Sequence, residues 1–461
     1  MRRLIQHLLL FLYATALPAA AQGDTADKPN IIWIISDDCG YNDFSMHGSD
    51  IPTPRIDSIA HNGARFTNAY ATASVCSPAR AALLTGRYQQ TFGHEFNIPG
   101  GRHEDHGLPL TETLISSVLQ DAGYRTIAVG KWHLGSHPHF RPTARGFTDF
   151  YGFLQGQRDY FPTRTGRRPG SLLRDTEPVA SEAFTYLTDH LADEAVRYIE
   201  DSKDEPFFLY LAFNGTHSPF QATDEDLAAA NGDAIAAMTI ALDRAVGKVI
   251  DALNEHALTE RTLLVFANDH GGTRSHDNAP LSGAKGSLWE GGIRVPFVMQ
   301  WPAVIPAGQV VDAPVISLDL FPTALAAAGV DAPADDALDG INLVLHLTDD
   351  PAVWPGRALY WKSGQAWAVR DGDLKLCVPR ERGRDSTMQL FDLSTDTAER
   401  RDLADDRPDD VARLLALYEA WADTHQPTAW EPSQPQGRSR GNEDGGRRRG
   451  PRGNNPRGNR D

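Results

Sequence analysis

Cys76 opens the segment Cys76-Ser77-Pro78-Ala79-Arg80, where Pro78 suits the first turn of a helix, Ala79 to Leu84 propagate it and Gly86 can end it. A side chain at a helix N-terminus lies where anions are favoured. Taken alone, a cysteine is more often a small core residue than a catalyst. Asp37, Asp38 and Asp269 offer hard carboxylate oxygens, which suit calcium or magnesium better than zinc. Adjacent acids such as Asp37-Asp38 are by themselves ordinary turn residues. A free histidine titrates where acid–base work near neutral pH requires it, which makes His133 and His217 candidates, although either also fits a structural hydrogen bond. Arg80, Lys131 and Lys285 are the cations within the same segments, and His270 directly follows Asp269.

What joins these residues is where they fall along the chain. Four continuous apolar runs, at residues 31–35, 126–129, 207–213 and 263–267, each end in polar residues. Apolarity without alternation marks strands covered on both faces. Helical patterns lie between them, at 114–122, 191–199 and 234–253, so the economical fold is a layered α/β arrangement. Ligands in such folds gather at the carboxyl ends of the strands, which is where Asp37, Asp38, Lys131, His133, His217, Asp269 and His270 fall. After about Asn342 the pattern changes to short β-rich pieces separated by turn residues, then a helix at 409–422, which predicts a small antiparallel sheet with a helix packed on it.

The segment Cys76-Ser77-Pro78-Ala79-Arg80, followed by Leu84-Thr85-Gly86-Arg87, resembles the Cys-x-Pro-x-Arg modification signature of the sulfatase family, within the alkaline-phosphatase-like superfamily. The resemblance continues from Pro29-Asn30-Ile31 through Gly130-Lys131-Trp132-His133-Leu134-Gly135 to the run from Lys285 to Pro296, which contains Trp289-Glu290-Gly291-Gly292. It extends to Leu390-Phe391-Asp392-Leu393 with Glu399 and Asp402-Leu403. It implies an alkaline-phosphatase-like α/β fold, with a large, mostly parallel mixed sheet between helices and a smaller C-terminal antiparallel sheet plus helix. The expected divisions are a catalytic domain over 28–342, a C-terminal subdomain over 343–430 and an Arg/Gly-rich tail over 431–461.

By the same resemblance, the chain is expected to be a sulfuric ester hydrolase whose Cys76 is oxidised to formylglycine by a formylglycine-generating enzyme. Once hydrated, that aldehyde carries two hydroxyls on one carbon. One attacks sulfur, and deprotonation of the other expels sulfate as the aldehyde re-forms. A sulfate monoester needs cationic donors around its oxygens. The family pattern assigns Arg80 and Lys131 to the nucleophile and sulfate, and Lys285 to sulfate near the leaving group. It makes His217 the acid for the departing alcohol and His133 the base that releases sulfate. It favours Ca2+ over Mg2+ on Asp37, Asp38, Asp269 and residue 76, and His270 stands where many relatives carry asparagine. Some members resembling iduronate sulfatases have histidine there, which makes His270 an expected ligand, with a hydrogen bond to sulfate as the alternative. Cys39 is expected to pack, and no motif singles out His94, His103, His106, His137, His139 or His276.

The expected substrate class is a sulfated carbohydrate derived from polysaccharide. The alternatives are a broad arylsulfatase, a phosphonate or phosphate monoester hydrolase, and an inactive module that binds sulfated glycans. Arg2 and Arg3, the apolar run from Leu4 to Leu17 and Ala19-Ala20-Ala21 have the form of a secretory signal peptide over 1–21. A membrane-spanning helix needs about 20 apolar residues, more than this run offers. The mature protein is therefore expected in the periplasm or outside the cell, with no span after signal cleavage. The net charge is -17, and residues 437–461 hold eight arginines against three acids, so the body is more acidic still. Such a body excludes nucleic-acid binding through its overall field, and an anionic substrate must be met by local cations in a pocket. The tail lacks apolar residues and is expected to be disordered. There are three cysteines, Cys39, Cys76 and Cys377; with Cys76 converted, the other two can pair or stay free.

Overall fold

The computed structural model describes residues 28–99, 105–162, 171–180, 184–333, 337–348, 354–379 and 387–431. The expected signal peptide, residues 432–461 of the expected tail and His103 lie outside these residues.

The four apolar runs form strands Asn30–Ser36, Arg125–Lys131, Phe207–Ala212 and Thr262–Asn268. They lie adjacent and parallel at the centre of a ten-stranded sheet. Their lack of alternation follows from burial on both sides. Ile31, Trp33 and Ile35 enter one apolar core with Phe208, Tyr210 and Val265, whereas Ile32 and Ile34 enter the other with Leu209, Leu211 and Phe266. Helices Cys76–Thr85, Ile115–Asp121 and Leu320–Ala328 contribute apolar side chains to the first core. Pro54–His61, Leu187–Asp201 and Ala234–Glu255 contribute to the second. Asp233 begins the longest helix by accepting the backbone N–H groups of Ile235 and Ala236 at 2.9 and 3.0 Å, which satisfies two otherwise open donors.

Short strands complete the sheet beyond the apolar runs. Phe297–Gln300 pairs antiparallel with Thr262–Asn268 and with Ala64–Phe66, and Gln309–Val311 closes that edge. Asp149–Phe153 runs parallel to Arg125–Lys131, where a Cβ on Gly152 would come within 1.9 Å of the Gly130 carbonyl oxygen. Among the described residues, no helix is long and apolar enough to cross a membrane.

Strands Ala358–Ser363, Ala366–Asp371, Leu374–Val378 and Gln389–Asp392 make an antiparallel four-stranded sheet in chain order. Helix Pro408–Ala422 packs on it through Trp367 stacked on Tyr418 at 4.1 Å and Tyr360 stacked on Trp421 at 5.0 Å. A buried ion network ties this sheet to helix Glu290–Ile293: Lys375 Nζ donates to Glu290 at 2.9 Å and to Glu399 at 2.7 Å, and Tyr70 donates to Glu290 at 2.6 Å. Each charge there has a partner, which offsets the cost of removing it from water. Cys39, Cys76 and Cys377 are all free and buried.

Candidate active site

Because the four central strands are parallel, their carboxyl ends share one edge, and the chain leaves each in a conformation that turns a polar side chain inward. Asp37 N–H donates to Gly215 O at 2.9 Å, and Thr216 N–H returns a bond to Asp37 O at 2.7 Å. Asp269 N–H donates to Ser36 O at 3.1 Å. Asp38 and His133 both adopt positive φ, 68° and 60°. Such values are uncommon outside glycine and occur here where the chain turns out of a strand.

Cys76 is the first residue of helix Cys76–Thr85, and Gly86 ends that helix at φ 67°. The helix start is held by a loop that no motif marks. Asn97 Oδ1 accepts Ser77 N–H at 2.9 Å, and Ser77 Oγ lies 2.7 Å from His94 Nε2 while donating to His133 O at 2.8 Å. Trp430 then pins the loop by donating from Nε1 to the carbonyls of Phe96 and Asn97 at 3.2 and 3.1 Å.

Around the sulfur of Cys76 the predicted residues converge. Its Sγ lies 3.2 Å from His270 Nε2, and 3.5 Å from both Asp37 Oδ1 and Lys285 Nζ. Each carboxylate has its own cation: Lys131 Nζ meets Asp37 at 2.5 Å, Lys285 Nζ meets Asp38 at 2.5 Å, and Arg80 grips Asp269 from Nε and Nη2 at 3.0 and 2.9 Å. Arg80 is fully buried, and it also donates to Lys131 O at 3.1 Å and Tyr210 Oη at 3.4 Å. Burial opposes the charge on Asp37, but Lys131, His217, Arg80 and Lys285 outweigh it and hold the carboxyl well below its usual range. Burial and Asp37 oppose a thiolate at Cys76; Lys131, Lys285 and His270 overcome them and bring the thiol down to about 6. Burial disfavours charge on His270 as well, yet Asp269 and the Cys76 sulfur raise it to about 9.

One ligand atom from each of Asp37, Asp38, Cys76 and His270 lies within 4.8 Å of the others, and all four residues are buried. Asp269 stands beside this cluster, with Oδ1 3.4 Å from His270 Nε2, buried and without a hydrogen bond among the described residues. A buried carboxylate oxygen left open beside converging acids fits a hard divalent cation. His270 Nδ1 lies 2.9 Å from Gly271 O, a carbonyl that only accepts; Nδ1 therefore carries a proton and Nε2 faces the cluster.

The remaining two predicted histidines differ from each other. His217 side chain is 13% exposed, with Nε2 3.6 Å from Asp38 Oδ2 and Nδ1 2.6 Å from Ser218 O, so it stands on the open side of the cluster. His133 Nδ1 is buried without a hydrogen bond among the described residues. Burial, reinforced by Lys131 and Arg80, holds its ring well below the usual histidine range. His276, which no motif marks, lies behind the acids with Nε2 2.8 Å from Thr216 Oγ1, and Cys39 packs there with Sγ 3.5 Å from the same hydroxyl. His137 and His139 meet each other, Nδ1 to Nδ1 at 2.6 Å.

Comparison with known proteins identifies the family. The sulfatase family model matches residues 29–330, and the model described as N-sulphoglucosamine sulphohydrolase, C-terminal, matches residues 284–416. N-acetylgalactosamine-6-sulfatase of Sus scrofa is 33% identical over 404 residues, covering 80% of this chain and 74% of that protein. Arylsulfatase J of Mus musculus is 30% identical, covering 92% of this chain and 80% of that protein. The crystal structure of Ps i-CgsB in complex with k-i-k-neocarrahexaose superposes with a TM-score of 0.82 at 35% identity, covering 87% of this chain and 94% of the other. With a fold of the alkaline-phosphatase-like type and family matches across most of its length, the chain belongs to the sulfatase family and is a sulfuric ester hydrolase.

Proposed function

We propose that the chain releases sulfate from sulfated carbohydrates, using a hydrated formylglycine made from Cys76. The observation that carries this reading is the convergence of His270, Asp37 and Lys285 within 3.2–3.5 Å of the Cys76 sulfur at the start of a helix. That sulfur stands in for the oxygens of the hydrated aldehyde, whose two hydroxyls supply an attacking group and an exit for sulfate. Asp37, Asp38, Asp269 and His270 would hold a divalent cation, calcium in our reading, which when bound polarises sulfate and nucleophile.

The chain's own side chains do the rest. Arg80 cannot swing away, because Asp269 and two further acceptors fix its guanidinium. Lys131 and Lys285 present ammonium groups to the same small volume, where a developing negative charge is met without reorganisation. His217, on the open side and facing Asp38, is placed to give a proton from Nε2 to the departing alcohol oxygen. His133 is kept neutral by its surroundings and is therefore a proton acceptor, the state required of the base that lets sulfate leave.

With one relative named N-acetylgalactosamine-6-sulfatase and another complexed with k-i-k-neocarrahexaose, sulfated galactan and galactosaminoglycan fragments are the first substrates to test. Export through residues 1–21 and maturation by a formylglycine-generating enzyme complete the proposal. Mass spectrometry of the peptide containing Cys76 from the native host is expected to show the aldehyde, and an unmodified thiol in active protein overturns the nucleophile. Sulfate release is expected to exceed phosphate release from matched 4-nitrophenyl esters; the reverse order overturns the substrate class.

A further inference from the structure

A cavity of about 390 Å3 lies where the loop around Phe96 meets the C-terminal sheet, and it shares no residue with the catalytic cluster. Glu95 and Phe96 bound it on one side, the hairpin tip from Lys362 to Gln365 on another, and Thr428 and Glu431 on a third. Its wall includes the loop that holds the nucleophile helix. Phe96 lies between His94 and Asn97, both bonded to Ser77, and with consecutive Cα atoms 3.8 Å apart its backbone is within about 15 Å of that of Cys76.

The cavity wall has a definite chemical character. Glu95 is consumed within the protein, accepting from Lys362 Nζ at 2.6 Å and from Gly364 N at 2.5 Å, so neither charge is available to a ligand. Among the described residues, the side chains of Ser363, Gln365 and Thr428 make no hydrogen bond, and Glu431 has no cation in salt-bridge range. Phe96 adds a half-buried aromatic face. A flat apolar face flanked by neutral donors and acceptors suits a sugar ring, which offers a C–H face and hydroxyl groups. The leftover Glu431 carboxylate, with Lys362 already neutralised, opposes a sulfated unit.

We propose that this cavity is an outer subsite for an unsulfated sugar of the same oligosaccharide whose sulfated unit occupies the catalytic cluster, a proposal that rests on the carbohydrate reading above. The subsite joins the C-terminal sheet to substrate selection, because Lys362 and Ser363 end its first strand and Gly364 and Gln365 turn into its second. Binding there requires a chain longer than one sugar, and so a longer substrate gains affinity that a monosaccharide sulfate lacks.

The test compares a galactan tetrasaccharide carrying one sulfate, its disulfated counterpart, the matching monosaccharide sulfate and 4-nitrophenyl sulfate. Gln365→Ala is expected to raise KM for the monosulfated tetrasaccharide about tenfold with kcat unchanged. The two small substrates, too short to reach the cavity, are expected to keep both constants. Gln365 is exposed at the hairpin tip, so its truncation leaves packing intact. Equal losses on all substrates, no loss on the tetrasaccharide, or preference for the disulfated chain each overturn the subsite. Turnover of 4-nitrophenyl sulfate with no tetrasaccharide preference removes the subsite while leaving the sulfatase reading in place; turnover of none removes the reading and the subsite together.

Discussion

His217 has a side chain 13% exposed that faces Asp38, and His133 holds a buried, unbonded Nδ1. A proton donor to the leaving group matters most when that group is a poor one. His217→Ala is therefore expected to lower kcat/KM on a sugar sulfate by about a hundredfold and on 4-nitrophenyl sulfate by much less. Equal losses on the two substrates would show that His217 is not the acid. The acid cluster makes a second expectation. Treatment with EGTA is expected to lower the unfolding temperature, added calcium to restore it, and Asp37→Ala to abolish the response; an unfolding temperature indifferent to calcium would sink the assigned site. Most of these residues were legible before folding because each follows an apolar run, where a polar residue must leave the core or serve a site. His94, Asn97 and Tyr210 were not. Their bonds to Ser77 and Arg80 are made across the fold, at separations of 17, 20 and 130 residues, and no local pattern encodes them.

Strands Arg125–Lys131 and Asp149–Phe153 approach closely enough that only glycine fits at position 152. Gly152→Ala is expected to cost about 3 kcal/mol, read by urea unfolding, because the blocking atom is backbone and cannot rotate away. It should also lower activity, since Lys131 and His133 hang from the end of the displaced strand; an unchanged unfolding midpoint would disprove the close approach. The four central strands follow directly from their unbroken apolar runs, and the main helices from their apolar periods. The short strands Ala64–Phe66, Phe297–Gln300 and Gln309–Val311 escaped that reading, for strands of three or four residues carry too few positions to show a period.

Charge joins the C-terminal sheet to helix Glu290–Ile293, and this makes the assembly sensitive to pH. Burial raises Glu399 to about 7 despite Lys375 beside it. Between the ordinary carboxyl range and about 7 the folded protein holds more protons at this group than the unfolded chain, so its contribution to stability declines as pH rises through that window and is level above it. Relative to Glu399→Gln, wild type is expected to lose unfolding temperature between about pH 5 and about pH 8; parallel curves would show that Glu399 does not titrate there. Trp430 has a consequence of a different kind. It closes over the loop that holds the nucleophile helix, from a position 334 residues away from Asn97's neighbour Phe96. A ribosome adding about 5–20 residues per second needs roughly 20–70 s to cover that distance. For that interval the loop beside Cys76 lacks its fastener, and a side chain that ends 2% exposed is open to an enzyme acting on the unfinished polypeptide. Synthesis order thus supplies a time window for modifying a residue that the finished molecule hides.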